Sequence, residues 1–260
     1  MLEDDFYLTK TEITLLKDVC EIFHSKGKKV AVVLNIAGVV ETESWKDLPD
    51  AVLDVWLPGQ EGGEAVYALI SGAENPSGKL AVSFPKSYFD CPSAHNFPYD
   101  GPVEGRNFDF TDYSEGIYVG YRHYCTKGVE VSYPFGYGLS YTDFAISGVK
   151  VRSDRSGITV KFSVTNTGNV PGKKAIGLYV TSPEGGMDKP ALELKAFSKS
   201  SGLQPGQTES MTLVVPASYL ASFNEKNGRW ETSAGNYIIY LGTDVTGLEQ
   251  VAQINRKWRL

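Results

Sequence analysis

The chain has 260 residues, of which 42% are hydrophobic and 12% aromatic, enough apolar material for one large core or two ordinary ones. Its net charge of −6 is modest and its basic residues are scattered, which argues against nucleic acid and anionic membrane surfaces as partners. No apolar run is long enough to predict a membrane span. Cys20, Cys91 and Cys125 are widely spaced, which predicts free thiols and no disulfide framework.

The first hundred residues show the pattern of an α/β fold. Thr9 and Glu12 form a capping-box sequence, so a helix is expected to follow and to end with Gly27 at its C′ position. The apolar face of this helix is predicted to contain Ile13, Leu16, Cys20 and Phe23.

Two apolar runs, residues 28–36 and 51–57, are typical of strands buried in a parallel sheet. A second helix is predicted over residues 63–72, and a third short strand near residue 84, after a turn at residues 75–78. Such an order of elements predicts an open, mostly parallel α/β sandwich. Because only about three strands are visible, the sheet is expected to be partial. In the loop-rich region from residue 86 to 132, residues 115–124 are the one predicted strand.

After Tyr141 the hydrophobic period changes to two, as expected for antiparallel strands. Seven short strands separated by turn sequences indicate a β-sandwich of the fibronectin type III kind, since this half has no cysteine for an antibody-type disulfide. The predicted strands cover residues 144–151, 158–168, 175–182, 193–200, 209–215, 235–242 and 250–258. We therefore predict α/β plus all-β architecture, with domains at residues 1–132 and 133–260.

The segment YPFGYGLSYTDF, residues 133–144, is expected to join the two domains, and we call it the aromatic–glycine junction. Gly136 and Gly138 permit backbone conformations that other residues avoid, and the interleaved rings can pack on both sides.

Few residues have a pattern that indicates chemistry. PGQEGG, residues 58–63, follows a strand and opens a helix, where open α/β sheets bind ligands, and it contains Glu61. The segment lacks the nucleotide-binding glycine pattern, so no cofactor is predicted. Glu115 and Tyr118 lie in an aromatic segment typical of a pocket rim. No metal site is predicted, because the three histidines, His24, His95 and His123, are far apart.

Six segments in order resemble β-glucosidases of glycoside hydrolase family 3. These are DFYLT, KKVAVVLNIAGVVETESW, LPDAVLDVWLPGQEGGEAV, NPSGKLAVSFP, SEGIYVGYRHY and YPFGYGLSYTDF. The sandwich that follows, with VTNTGNVPGKKAIGLYV and KPALELKAFSK, resembles the family's C-terminal fibronectin type III-like domain.

The resemblance implies a retaining hydrolase that uses a nucleophilic aspartate in a barrel and an acid/base glutamate in a Gly-Glu-Gly-like loop. No residue of this chain matches either motif, and Glu3 does not lie in the matching loop. We therefore expect the chain to be the non-catalytic C-terminal portion of such an enzyme, inactive alone, with no catalytic residues of its own. Glu61, Glu115 and Tyr118 are the residues predicted to lie nearest the sugar-site rim.

The predicted partners are a β-linked sugar, bound through the parent enzyme, and the barrel domain or another copy of the chain. A second copy is considered because the apolar strand near residues 30–36 is expected to have an uncovered edge. Two alternatives remain: a stand-alone carbohydrate- or protein-binding module, and a subunit that assembles in trans with a barrel chain. No signal-peptide pattern is present, which favours a cytoplasmic location.

Overall fold

The computed structural model of the chain describes residues 6–94 and 113–259. Its first part contains three helices and four short strands. The helices are α1 (Lys10–His24), α2 (Gly62–Ile70) and α3 (Tyr121–Lys127), and the strands are β1 (Ala31–Leu34), β2 (Ala51–Asp54), β3 (Phe84–Pro85) and β4 (Val131–Tyr133). Within these described ranges, no helix is both long and apolar enough to cross a membrane.

Helix α1 begins and ends as its sequence predicts. The Thr9 side chain accepts a hydrogen bond from the Glu12 amide at 3.2 Å, and the Glu12 carboxylate accepts one from the Thr9 amide at 2.8 Å. At the other end, the Lys28 amide donates to the Phe23 carbonyl and the Gly27 amide to the His24 carbonyl, each at 2.9 Å. With Gly27 at a φ of +66°, this is a Schellman motif, and the C′ prediction is confirmed.

Strands β1 and β2 pair in parallel, with Ala31 opposite Ala51 and Leu34 opposite Asp54. They are the only strands of this sheet among the described residues. One consequence is that Val33 is 38% exposed although its sequence context predicts a strand buried on both faces. On the apolar face of α1, Cys20 is buried, whereas Phe23, near the end of the helix, is 47% exposed.

Two other predictions for this part were wrong in type or extent. The third strand is only two residues long and pairs antiparallel with β4, Phe84 opposite Tyr133, so it does not join the parallel sheet. Residues 115–124 form a turn followed by the first residues of α3, with Gly116 and Gly120 at φ values of +54° and +58°. These two left-handed positions interrupt any extended path, and Gly120 and Gly128 then cap the short helix at its two ends.

The second part is a two-sheet sandwich, and each of the seven predicted strands is present. Its strands are β5 (Phe144–Asp154), β6 (Gly157–Asn166), β7 (Ala175–Thr181), β8 (Glu193–Lys199), β9 (Thr208–Pro216), β12 (Gly235–Gly242) and β13 (Glu249–Arg256). One sheet has the order β5-β6-β9 and the other β13-β12-β7-β8. An additional hairpin, β10 (Ser222–Asn224) and β11 (Arg229–Glu231), was not predicted.

The sandwich has its own core, in which alternate residues of the inner strands are buried. Val160 and Val164 of β6, Leu178 of β7 and Ile239 of β12 are fully enclosed, and Trp258 closes one end. Every buried residue of this core lies between Ile158 and Trp258. The sandwich therefore contains the apolar burial that stabilises it.

The aromatic–glycine junction makes backbone hydrogen bonds to both parts. On the α/β side, the Leu80 amide donates to the Tyr137 carbonyl at 2.9 Å, and the Gly136 amide donates to the Leu80 carbonyl at 2.8 Å. On the sandwich side, the Val245 amide donates to the Phe135 carbonyl at 3.1 Å. The junction is thus a paired segment rather than a free linker; the precise boundary at residues 132 and 133 stays a prediction.

Candidate functional site

The carboxyl ends of β1 and β2 form the part of the α/β fold where ligands bind in open sheets. Asn35, just after β1, donates from its side-chain amide to the Trp56 carbonyl at 2.5 Å, which ties the two strand ends together. Asp54, the last residue of β2, accepts a hydrogen bond from the Trp56 amide at 3.0 Å through Oδ1. These contacts fix the backbone that leads into the PGQEGG segment.

At this edge of the sheet, Asp54 has an unpaired buried oxygen and Trp56 has a left-handed backbone conformation. The Oδ2 atom of Asp54 is buried and has no hydrogen-bond partner in the structure. Burial raises the pKa of this carboxyl, and the Trp56 amide offsets part of the effect. Trp56 has a φ of +51°, the only positive value at a non-glycine residue among the described ranges, and its ring lies 6.0 Å from that of Phe84. A left-handed tryptophan stores backbone strain, a feature common at functional sites.

Glu61 is the N-cap residue of α2 and is exposed. Its side chain makes no capping hydrogen bond, so the carboxylate is available to other groups. The loop before it is held tightly, because a Cβ at Gly62 would lie 2.6 Å from Cγ of Pro58. The helix therefore starts close against the loop.

Glu115 and Tyr118 share one turn before α3, in which the Tyr118 amide donates to the Glu115 carbonyl at 3.0 Å. The Oε2 atom of Glu115 is buried without a partner. The Tyr118 hydroxyl donates to the carboxylate of Asp188, between β7 and β8, and this bond raises the pKa of the tyrosine. The Lys127 ammonium lies 5.0 Å from the Tyr118 ring centroid. Tyr118 thus connects the turn to the sandwich.

Arg122 of α3 adds a second unpaired polar group to this region. Its Nε is buried without a hydrogen-bond partner, while its terminal nitrogen lies 3.5 Å from the Glu193 carboxylate. Buried polar atoms without partners are rare in folded proteins, so these two atoms distinguish this region of the chain.

The structure brings Glu115 and Tyr118 together but does not join them to Glu61, since no hydrogen bond or ion pair links them in the described part of the chain. Sequence reasoning missed Asn35, Asp54, Trp56 and Arg122. A usable signal existed for Asp54, because it is the one charged residue in the apolar run 51–57.

Metal binding finds no support in the described ranges, which contain no group of three His, Cys, Asp or Glu side chains that could hold an ion. His24 instead contacts Asp50 at 2.9 Å, and the ring of His123 packs at 5.3 Å against Tyr124. His95 and the acidic residues Glu3, Asp4 and Asp5 lie outside the described residues.

Comparison with known proteins agrees with the fold. The profile of the glycosyl hydrolase family 3 C-terminal domain matches residues 3–141, and that of a fibronectin type III-like domain matches residues 175–245. The chain therefore belongs to glycosyl hydrolase family 3, which confirms the resemblance and the predicted fold class.

Similar proteins include β-glucosidase A of Butyrivibrio fibrisolvens, 38% identical over 93% of this chain and 31% of that protein. An exo-α-(1→6)-L-arabinopyranosidase of Bifidobacterium breve is 35% identical over 96% of this chain and 32% of that protein. Among solved structures, β-glucosidase 3B of Thermotoga neapolitana with bound glucose has a TM-score of 0.90 and 42% identity, over 98% of this chain and 35% of that chain. The present chain spans about a third of the length of these relatives.

Proposed function

We propose that the chain is the non-catalytic C-terminal portion of a retaining glycoside hydrolase that acts on terminal β-linked sugars. The observation that carries this proposal is the match of the chain to the family's C-terminal and fibronectin type III-like domains, about a third of each relative. Retaining hydrolysis needs two carboxyl groups about 5–5.5 Å apart, one of them a nucleophile. The carboxylates of the candidate site, exposed Glu61 and half-buried Asp54 and Glu115, match neither catalytic motif of the family.

The sugar class rests on the names of relatives, several of which are β-glucosidases. Two relatives are named for α-linked arabinopyranosides, so membership of the family does not by itself specify the sugar. The β-linked class is therefore part of the proposal. A cytoplasmic location likewise stays a prediction.

The uncovered side of the sheet is the proposed contact for the rest of the parent enzyme. Between α1 and β1 lies an apolar groove of about 280 Å³, lined by residues that include Leu15, Leu16, Val32 and Trp45. Leu15 is 62% exposed, and the outer edge of β1 is unpaired in the described structure. An additional strand and barrel surface would cover these groups; when they are absent, a second copy is the competing occupant.

Glu61, Glu115 and Tyr118 are proposed to lie at the sugar-site rim, together with Asp54 and Trp56 at the sheet edge. Support comes from the Glu61 carboxylate, which is exposed, makes no capping hydrogen bond and is available to sugar hydroxyls. In this arrangement the chain positions substrate, while the residues that break the glycosidic bond come from the barrel part.

Reconstitution tests the proposal directly. The chain alone should release no 4-nitrophenol from 4-nitrophenyl β-D-glucoside, whereas co-expression with the N-terminal two thirds of the Thermotoga neapolitana enzyme should restore turnover. Turnover by the chain alone, lost on Glu61→Gln or Glu115→Gln, would contradict the non-catalytic role.

The rim assignment has a separate readout in the reconstituted enzyme. Glu115→Gln should raise KM about tenfold, the loss of one good hydrogen bond to substrate. Glu249→Gln, at the exposed start of β13, should leave KM unchanged. Equal KM values for the two variants would remove Glu115 from the rim.

If a second copy of the chain covers the groove, the isolated chain should self-associate. Val33→Lys places a charge on the uncovered face of β1 and should reduce self-association of the isolated chain in sedimentation velocity. A chain that stays monomeric at high concentration, with or without Val33→Lys, would exclude the copy as occupant.

A further inference from the structure

The β10–β11 hairpin, which lies between β9 and β12, carries two large aromatic side chains on one face. Phe223 and Trp230 are directly opposite each other in the antiparallel pair. Their ring centroids are 5.7 Å apart with an interplanar angle of 68°, and the residues are 48% and 61% exposed. Folding gains little from rings that stay in water, so their presence as a pair calls for another explanation.

The other face of the hairpin holds a polar network that makes it rigid. The Glu231 carboxylate accepts hydrogen bonds from Asn224 at 3.1 Å, Asn227 at 3.0 Å and Arg229 at 2.5 Å. Just after β11, the buried Thr232 hydroxyl donates to the Trp258 carbonyl at 2.7 Å and thereby anchors the hairpin to the core. The two rings are consequently held in place before any ligand arrives, which reduces the entropy cost of binding.

The size of the aromatic pair indicates the size of its ligand. A phenylalanine or tryptophan ring offers roughly 150–250 Å² when fully exposed, so the two half-exposed rings present roughly 200 Å² together. A specific protein partner covers about 800 Å² on each side, several times more. One or two pyranose rings match the smaller area.

The chemistry around the rings fits the same ligand. An aromatic face is the negative end of a quadrupole, which attracts the weakly positive C–H groups on the face of a pyranose. The hairpin tip, residues 225–228, is exposed and carries a carboxylate, an ammonium and an amide that can bond hydroxyl groups. A flat apolar sugar face with hydroxyls at its edge needs both kinds of partner.

We propose that the Phe223–Trp230 face of the hairpin binds β-linked gluco-oligosaccharides. The site rests on the proposed function only for the linkage of the sugar; its location and its stacking chemistry come from the hairpin itself. It holds glycan chains through the fibronectin type III-like sandwich and needs no barrel residue.

Phe197 of β8 provides a matched control. It is 77% exposed, and in the described part of the chain it contacts no other ring. Single exposed hydrophobic residues are normal on protein surfaces and need no ligand. Phe197→Ala removes a comparable exposed ring from the same sandwich without altering the hairpin.

The test is calorimetric titration of the full 260-residue chain with cellotetraose, at concentrations up to about 10 mM so that weak binding is detected. The proposal predicts saturable binding that is at least about tenfold weaker in Trp230→Ala, weakened in Phe223→Ala and unchanged in Phe197→Ala. Maltotetraose, the α-linked counterpart, should bind at least about tenfold more weakly. Near-ultraviolet circular dichroism verifies that each variant is folded.

Several results would overturn the site. These are absence of binding by the unaltered chain, equal losses in Trp230→Ala and Phe197→Ala, and equal affinity for the two tetrasaccharides. Self-association abolished by Trp230→Ala, seen in sedimentation velocity, would make the hairpin an interface between copies and also refute the proposal. None of these outcomes depends on reconstituted turnover, so failure of the binding site and failure of the hydrolase proposal are distinguishable.

Discussion

Gly136, in the aromatic–glycine junction, lies against the backbone of the loop between β12 and β13, and Gly136→Ala tests whether that close approach matters. Its φ is +85°, and an added Cβ would lie 2.7 Å from the Asp244 Cα and inside contact distance of the Thr243 carbonyl oxygen. Both neighbours are backbone atoms, so no side-chain rotation relieves the overlap. The Gly136 amide hydrogen bond to Leu80 would be strained at the same time.

The expected cost has two parts. The left-handed backbone costs an alanine about 1 kcal/mol relative to glycine, and forced displacement of packed atoms adds about 1–3 kcal/mol. We therefore expect Gly136→Ala to lower the free energy of unfolding by about 2–4 kcal/mol. Gly72→Ala is the control, since Gly72 has a φ of +76° but nothing within 4 Å of its added Cβ. It should cost about 1 kcal/mol only.

Urea unfolding followed by tryptophan fluorescence measures both variants, and limited proteolysis within residues 133–144 reports separation of the two parts. Equal losses of unfolding free energy in Gly136→Ala and Gly72→Ala would show that the close approach at Gly136 has no energetic effect.

Three further predictions concern stability. The half-buried Lys79 ammonium donates to the Gly138 carbonyl, and burial lowers the pKa of Lys79 to about 8. Between this pKa and the ordinary lysine pKa, the unfolded chain therefore binds more protons than the folded chain. The free energy of unfolding should thus rise by about 1 kcal/mol between about pH 7.5 and about pH 9.5, allowing for solvent screening, and Lys79→Met should abolish the rise in urea unfolding. Burial raises the pKa of Asp54, so above the ordinary aspartate pKa the ionised carboxylate destabilises the folded state. Asp54→Asn should therefore raise Tm at neutral pH, with a gain in the free energy of unfolding of about 0.5 kcal/mol. A lower Tm would indicate an unseen partner for the carboxylate. Residues 140–260 should unfold cooperatively on their own, because every buried residue of the sandwich core lies within that span; an insoluble fragment would show that the α/β part is needed.

The sandwich was predictable because its strands are half buried and antiparallel. In β6, Val160, Phe162 and Val164 point to the core while Lys161 is exposed, so the period of two is visible in the sequence. The β10–β11 hairpin escaped notice for the opposite reason: its strands are three residues long and carry their apolar residues outward.

The α/β part was less predictable because local pattern and final structure disagree there. Tyr118 to Tyr124 has the aromatic content of a strand, yet α3 forms because the Tyr121 ring stacks on Phe135 at 4.6 Å and Tyr124 is buried. Tertiary packing decided the outcome, and the glycines at 120 and 128, spaced as caps of a two-turn helix, were the available signal.

The candidate site was predictable only in part. The PGQEGG segment, predicted to follow a strand and open a helix, does so between β2 and α2, whereas Glu115 and Tyr118, predicted in a strand, lie in one turn. Their role at the sugar-site rim stays a prediction. The unpartnered oxygen of Asp54 and the left-handed backbone of Trp56 depend on how β2 packs, which no pattern of residue types reveals.

The pairing of the aromatic–glycine junction with both parts of the molecule has a consequence for domain exchange between relatives. A chimera cut between residues 132 and 133 would keep the junction with Val245 but separate it from its partner Leu80. Asn75 extends the same dependence, because its side chain binds the Tyr141 amide at 2.9 Å and the Pro171 carbonyl at 2.9 Å. The exchangeable unit is accordingly the sandwich together with the junction and the 75–83 loop, and grafts that respect this unit should keep the two bodies in register.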